Sequence, residues 1–145
     1  MFDNMFESMK ISATALSAER KRMNVIANNL ANINTTRGPD GEPYRRKYVV
    51  FQTILDKSSD SVNNNFREKG VKLSEIVDDG RPFKMIYKPG HPDADQNGYV
   101  AMPNVDMVEE NVDFLASSRA YGANLSVLKS SKALVKKMLE LLTME

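Results

Sequence analysis

Helix breakers are confined to the middle of this 145-residue chain, and that distribution limits its fold more than any other feature. All six prolines and six of the seven glycines lie within residues 38–103, and Gly122 is the exception. A glycine costs a helix interior about 1 kcal/mol and a proline about 3 kcal/mol, so only the two flanks can form long helices. The sequence therefore predicts a mainly α fold, with helical segments at residues 1–36 and 104–145 and a small β-rich or extended central segment at residues 37–103.

Apolar residues in the N-terminal flank recur at alternating spacings of four and three, the spacing of a coiled-coil seam. The seam consists of Phe2, Phe6, Met9, Ala13, Leu16, Arg20, Met23, Ala27 and Leu30, with Arg20 its only charged member. A helix from about residue 3 to about residue 33 would be about 45 Å long, because an α-helix rises 1.5 Å per residue. We expect the two terminal helices to form a coiled-coil-like core domain.

The C-terminal flank carries a marked helix start. Asp106 is a plausible N-cap, and Glu109 three residues later completes the pattern of a capping box. Acidic residues follow in the first turns and lysines in the later ones, which suits the helix dipole. Because two helices packed only on each other would leave much apolar surface in water, the pattern also predicts association with further subunits.

Short strands are predicted in the middle segment. Residues 44–51 are rich in β-formers, and residues 71–77 alternate apolar and polar side chains. Residues 83–87 and 99–102 could pair across the intervening turn-rich stretch. The polar residues 58–65 are predicted to form a loop.

Composition excludes several classes of function. The formal net charge of +1 provides no global field for nucleic acid or an anionic membrane, so we expect no nucleic-acid partner. No apolar run approaches the roughly 20 residues needed to cross a bilayer, so we expect no direct membrane insertion. The absence of cysteine and the single histidine, His91, exclude most catalytic and zinc sites, and we predict no cofactor. The first ten residues lack the features of a cleaved secretory signal.

A half-match to a calcium loop is the sharpest chemical candidate. Asp93, Asp95 and Asn97 followed by Gly98 reproduce the first ligand positions of an EF-hand. Position twelve would be Asn104 instead of a bidentate Glu, and the flanks favour strands over helices. The favoured interpretation is a turn in which these side chains bond nearby backbone amides. A calcium-responsive adaptor remains the alternative function.

Other polar residues have plainer interpretations. His91, between Gly90 and Pro92, is expected to be a solvated or capping histidine, since no nucleophile motif accompanies it. The basic run Arg45, Arg46 and Lys47 is expected to form a solvated face or a protein contact and not a phosphate grip.

Asparagines spaced by four along the first helix, Asn24, Asn28 and Asn32, are unusual because asparagine is a weak helix former. Amides that face a partner helix can fix its register, as buried polar residues do in coiled coils. The other interpretation is an exposed face near a frayed helix end. Spacing alone leaves the two open.

Two segments resemble the signatures of the bacterial flagellar axial family, which builds the rod and the hook. Residues 22–36, RMNVIANNLANINTT, resemble the N-terminal signature with its ANNLAN core, and residues 104–125 resemble the C-terminal signature with its RAY element. Residues 38–51 and 87–105, with the short middle, are similar to the proximal-rod members. Gly122 departs from the family pattern, which often has a larger polar residue there; close packing would explain a glycine.

The resemblance implies a structural, non-enzymatic subunit of the periplasmic rod of the flagellar basal body, exported by the flagellar type III apparatus without signal cleavage. It implies that the terminal helices line the export channel and that the central segment faces outward. It also implies, as partners, other rod proteins, copies of the same chain, the basal-body membrane ring and the export apparatus.

Residues on both helices are predicted to form the subunit interface. In the first helix they are Leu16, Met23, Ala27 and Leu30, with Asn28, Asn29 and Asn32 as register-setting amides. In the second helix they are Val112, Leu115, Arg119, Tyr121, Leu125 and Leu128.

Overall fold

The computed structural model describes residues 2–57 and 66–142, and it is mainly α with a small β component, as predicted. Helix α1 spans Phe2–Ala31 and helix α2 spans Met107–Leu142. The strands are β1 (Lys47–Lys57), β2 (Phe66–Asp78), β3 (Lys84–Tyr87) and β4 (Tyr99–Met102). The loop predicted at residues 58–65 lies outside the described residues. Neither described helix has an apolar stretch long enough to cross a membrane.

Helix α1 ends where its own asparagines can satisfy its last carbonyls. The Asn32 side chain donates through Nδ2 to the carbonyl oxygen of Asn28 at 2.8 Å and accepts a bond from the Thr35 hydroxyl at 3.2 Å. Carbonyls of the last helical turn lack intrahelical partners, so these bonds stabilise the helix end. One of the spaced asparagines, Asn32, therefore has a local role at a helix terminus through its side chain.

Helix α2 begins at the predicted cap. The Asp106 carboxylate accepts bonds from the backbone amides of Val108 at 2.9 Å and Glu109 at 3.3 Å. These amides of Glu109 and Val108 hold the pKa of Asp106 below its usual range. In a capping box the carboxylate of Glu109 would accept a bond from the backbone amide of Asp106. Here it accepts a bond from Arg81 at 3.0 Å instead.

The strands form two pairs, β1 with β2 and β3 with β4. The predicted hairpin is confirmed: β3 and β4 are antiparallel, with Lys84 opposite Met102 and Tyr87 opposite Tyr99. The rings of Tyr87 and Tyr99 meet edge to face with centroids 5.3 Å apart. The strand expected at residues 44–51 starts later and is longer, because the amide of Tyr44 bonds the carbonyl of Thr35 and does not enter a sheet.

The chain divides into two compact units, and each unit contains part of both helices. Unit 1 comprises Met1–Lys21, Phe51–Ser74 and Ser117–Glu145, and unit 2 comprises Arg22–Val50 and Glu75–Ala116. The buried apolar side chains of unit 2 are Val25, Ile26, Val100, Met102, Pro103 and Val105. Its buried core is small and includes several charged groups, which gives polar contacts unusual weight in that unit.

Strand β2 passes close to α1 in unit 1 at a glycine. Gly70 has φ +131°, and a Cβ placed there would collide with the Thr14 hydroxyl. That hydroxyl accepts a bond from the amide of Val71 at 3.2 Å and donates to the carbonyl of Ile11 at 2.7 Å. The close approach of strand to helix therefore depends on a residue without a side chain.

We predict that Gly70→Ala lowers the free energy of unfolding by about 1–3 kcal/mol, because a non-glycine residue is strained at this φ and Thr14 must move. Guanidinium denaturation followed by circular dichroism measures the change. Gly80→Ala is the matched control, since a Cβ there meets no atom within 4 Å. Equal losses in the two variants would contradict the explanation.

Buried ion network and candidate assembly surface

Unit 2 contains a guanidinium surrounded by carboxylates. Arg46, just before β1, donates through Nε to Glu110 at 2.5 Å and pairs through Nη2 with Asp113 at 3.1 Å and through Nη1 with Asp79 at 3.5 Å. Its side chain is 10% exposed, and that of Glu110 is fully buried. Buried charges require partners of opposite sign, and here Arg46 and Glu110 are each other's partners. We call Arg46, Glu110, Asp113 and Asp79 the Arg46 network.

An asparagine of α1 attaches that helix to the start of β1. The Asn29 amide pairs with both backbone groups of Lys47: Oδ1 accepts from the Lys47 nitrogen at 3.0 Å, and Nδ2 donates to its carbonyl at 2.8 Å. Nδ2 also donates to Glu110 at 3.0 Å, and Oδ1 accepts from the Tyr44 hydroxyl at 3.0 Å. All four bonding positions of the amide are filled, so its burial at 1% exposure carries no penalty for unmade bonds.

A second buried asparagine binds the same stretch of backbone. Asn104 accepts the backbone amide of Arg46 through Oδ1 at 2.7 Å. It donates through Nδ2 to the carbonyls of Asp79 at 3.2 Å and Arg81 at 3.0 Å. Two asparagines far apart in sequence thus bond backbone groups of residues 46 and 47, at the point where β1 begins.

The charges of the network reinforce one another. Hydrogen bonding from Arg81, 2.7 Å away, holds the pKa of Asp79 below its ordinary value. Bonds to Asp79 and Glu109 raise the pKa of Arg81 above its already high value. Burial lowers the pKa of Arg46, but the hydrogen bond and charge of Glu110 outweigh it and raise the net value. The arginines stay charged, as does Asp79 at neutral pH.

Sequence reasoning did not predict this network. It placed Asn29 among register-setting interface amides, and in the structure Asn29 bonds its own chain. It predicted that Arg45, Arg46 and Lys47 form a solvated face or a protein contact. That prediction is wrong for Arg46, which is buried. Arg45 is half-buried and stacks on Phe83 at 4.3 Å, and Lys47 is exposed and pairs with Asp78 at 3.2 Å. The available signal was the acidic start of the second helix, whose charge matches the basic run.

The remaining interface candidates of α1 lie on its surface. Ala27 and Asn28 are exposed, and Leu16, Met23, Leu30 and Asn32 are half-buried. The buried side chains of α1 include Ala18, Val25 and Asn29, each two positions after a seam residue. Two residues correspond to about 200° around a helix, whereas Ser12 and Ile26, which are also buried, lie three positions after Met9 and Met23 and so about 60° from the seam. The buried face of α1 therefore extends from the side opposite the seam to the edge of the seam. Among the seam residues whose side chains are described, none is fully buried.

The candidates of α2 fall into two groups. Val112 and Leu115 are 62% and 52% exposed and follow Val108, which is 72% exposed, in one stripe within unit 2. Arg119 is also exposed, whereas Tyr121, Leu125 and Leu128 of unit 1 are half-buried. A Cβ on Gly122 would meet no described atom within 4 Å, so packing inside the subunit does not explain that glycine.

The turn that raised the calcium alternative agrees with the favoured interpretation at Asp95 alone. Asp95 accepts the backbone amides of Asn97 and Tyr99, each at 2.8 Å. Asp93 accepts the Thr36 hydroxyl at 2.8 Å, and His91 caps the turn by accepting the Asp93 amide at 3.1 Å. Among residues 2–57 and 66–142, no cluster of three acidic or histidine side chains could hold a metal ion.

We predict that Arg46→Ala lowers the free energy of unfolding by about 3–5 kcal/mol, because it leaves the buried Glu110 carboxylate without its main counter-charge. Urea denaturation followed by circular dichroism measures the loss. Arg37→Ala is the control: Arg37 is 73% exposed and pairs with Asp93 at 3.7 Å, so its removal should cost at most about 1 kcal/mol. A similar small loss for Arg46→Ala would contradict a stabilising role.

We also predict that stability falls as the pH drops below about 4. The pKa of Asp79 is lowered in the folded protein, so its contribution is complete above the unfolded pKa and is lost as the pH falls through the folded value. The variant Asp79→Asn should flatten the decline measured by urea denaturation between neutral and acidic pH. Asp40→Asn, at an exposed turn, should leave it unchanged; an unchanged decline in Asp79→Asn would refute the assignment.

Family models match both ends of the chain. The model described as "Flagella basal body rod protein" matches residues 9–39. The model described as "Flagellar basal body rod FlgEFG protein C-terminal" matches residues 96–141. These ranges contain both signature segments noted in the sequence, and they include Asn29, Asn104 and Glu110 of the buried polar contacts.

Curated relatives align with nearly the whole chain. The flagellar basal-body rod protein FlgC of Salmonella typhimurium is 45% identical over 138 residues, which are 95% of this chain and 96% of the relative. FlgC of Borreliella burgdorferi is 40% identical over 149 residues, 95% and 97% of the two chains. FlgC of Bacillus subtilis is 41% identical over 145 residues, 94% and 97%. The chain is a structural component of the flagellar basal body and not an enzyme, and it belongs to the FlgC family of flagellar basal-body rod proteins.

Proposed function

We propose that this chain is a proximal-rod subunit that assembles helically around the flagellar export channel and transmits torque. In this proposal, the terminal segments 1–36 and 104–145 form an inner core domain, and the central segment 37–103 faces outward. The observation that carries it is apolar surface that the chain leaves at least partly exposed: the α1 seam, whose described residues are half-buried or exposed, and the α2 stripe of Val108, Val112 and Leu115.

The α1 seam supports contact with neighbouring helices. The fully buried residues of α1 lie outside the seam, and the seam has the four-three spacing suited to knobs-into-holes packing. A helix with two usable faces can join its own subunit through one and a neighbour through the other. We infer that coiled-coil-like packing involves helices of different subunits, with Leu16, Met23, Ala27 and Leu30 at the contact and Asn28 and Asn32 at its polar edge.

The α2 stripe supports a second contact. Its three aliphatic residues are each more than half exposed and lie within about 60° of one another around the helix. Contiguous apolar surface of this kind marks protein interaction sites. Arg119 extends the stripe with a cation, and Tyr121, Leu125 and Leu128 keep part of their surface free for further contact.

The partners in this proposal are other rod proteins and copies of the same chain, together with the basal-body membrane ring and the type III export apparatus. Membership of a rod-protein family supports assembly with rod components. The Arg46 network supports load bearing: it links the parts of α1 and α2 in unit 2 through Asn29 and Glu110, so a force on one helix reaches the other through short polar contacts.

Mass spectrometry of detergent-extracted hook–basal bodies from the source cells tests the proposal. We expect this chain at several copies per particle together with other rod proteins. Its absence from particles that contain the other rod proteins would refute the rod-subunit function and return attention to the adaptor alternative.

We predict that the double variant Val112→Gln with Leu115→Gln folds but is recovered in basal bodies at less than about one tenth of the wild-type amount, because burial of each aliphatic side chain contributes about 1.5–3 kcal/mol to association. Circular dichroism of the purified variant checks folding. Asn111→Gln, on the exposed neighbouring position, is the control and should assemble normally. Normal recovery of the double variant would exclude the α2 stripe from the interface.

A further inference from the structure

We propose that a groove in unit 1 binds the end of α2 from a second copy of this chain, with Lys137 of that copy paired to Glu19. The inference rests on the proposed function, since it names one contact between copies in the assembled rod. It specifies the groove of one copy, the helix end of the next copy that binds there, and the ion pair that joins them.

The groove lies between α1 and the strands of unit 1. Its volume is about 430 Å³. Ile11, Ala15 and Ala18 of α1 form one wall, and Phe51 of β1 and Val71 of β2 form the other. The small side chains of Ala15 and Ala18 leave room in this groove, which suits bulky aliphatic side chains from a partner.

Glu19 places a negative charge in the groove, which favours a partner with a positive charge. It lines the groove, its Oε2 atom is buried, and among the described residues that atom has no hydrogen-bond partner. A buried carboxylate oxygen without a donor is costly, and a cation from a partner would remove the cost. The groove therefore fits a helix that presents aliphatic side chains on either side of one lysine or arginine.

The end of α2 has that arrangement. Leu134, Lys137 and Leu141 are spaced three and four residues apart and share one helix face. Leu134 is 56% exposed and Leu141 is 70% exposed, and Lys137 is exposed between them. The long apolar stem of lysine can cross the apolar wall while its ammonium group reaches a carboxylate. Lys136, in contrast, already pairs with Glu140 at 3.7 Å.

A second copy is the occupant that this geometry favours. Groove and lysine face are different surfaces of one chain, so their contact is heterologous and each copy can be bound by one neighbour while it binds the next. Contacts of this type generate rings or helical filaments, which is the arrangement that a rod requires.

Intermolecular disulfide formation tests the contact cleanly, because the chain has no cysteine of its own. One full-length protein carries Ala15→Cys in the groove, and a second, distinguished by an affinity tag, carries Leu141→Cys. Each chain then has a single cysteine, so a mixed disulfide on a non-reducing gel reports contact between copies. We expect the mixed product to form when concentrated proteins are combined under mild oxidation.

Matched variants separate specific docking from chance collision. Leu139→Cys replaces Leu141→Cys as the control, because Leu139 is 55% exposed but lies about 200° away around the helix. We expect little product with Leu139→Cys. Glu19→Gln in the groove chain should lower the yield about tenfold, the effect of losing about 1.4 kcal/mol. Equal yields from the two leucine positions, or a yield unchanged by Glu19→Gln, would overturn the proposal.

A charge exchange guards against a folding artefact. Glu19→Lys should abolish the product with a partner that carries Lys137, and Lys137→Glu in the partner should restore it. Circular dichroism confirms that each variant is helical. Failure of the exchange to restore the product from folded variants would overturn the ion pair.

A cross-linking experiment in basal bodies tests this contact separately from the proposed rod function. A chain that carries both Ala15→Cys and Leu141→Cys is expressed in cells, and its disulfide products in purified basal bodies are identified by mass spectrometry. A product joining two copies through the two introduced cysteines supports the proposal. Incorporation of the chain with its groove cysteine joined to a different rod protein, or with no product, refutes the second-copy contact and leaves the rod function intact.

Discussion

The burial of Arg46 among carboxylates is the interaction on which unit 2 depends. Its guanidinium neutralises Glu110, which is fully buried, and reaches Asp113 and Asp79 within 3.5 Å. Because Glu110 also accepts the Asn29 amide, a single carboxylate joins the two helices to the start of β1. Unit 2 has few buried aliphatic residues, so its polar groups specify how its helices and β1 pack together. A shift of one element along another would leave a buried charge without its partner.

The apolar residues have the complementary distribution. Many large aliphatic side chains of the terminal helices, among them Val108, Leu115 and Leu141, are more than half exposed. A protein that acts alone rarely leaves so much of its apolar surface in water. A subunit of a larger structure gains from that arrangement, because the same surface becomes buried on assembly. Polar contacts define the subunit, and the apolar faces are left for its neighbours.

Some features followed directly from local sequence. The location of every proline and of all glycines but Gly122 within residues 38–103 predicted both helices, and Asp106 was identified as the cap of α2 from its spacing to Glu109. The β3–β4 hairpin was predicted from its flanking β-formers and turn residues. These features depend on backbone conformation and neighbouring groups, so a single stretch of chain contains the information needed to predict them.

The sequence by itself determined two long helices, a seam along the first and membership of the axial family through two terminal motifs. Tertiary structure alone decided which face of α1 is buried, because a periodic pattern defines a stripe and does not say which partner covers it. It also decided the role of Asn29. The Asn29 side chain donates hydrogen bonds to the backbone carbonyl of Lys47, 18 residues away, and to the carboxylate of Glu110, 81 residues away. Bonds between such distant residues follow from the path of the whole chain, and no local pattern specifies that path.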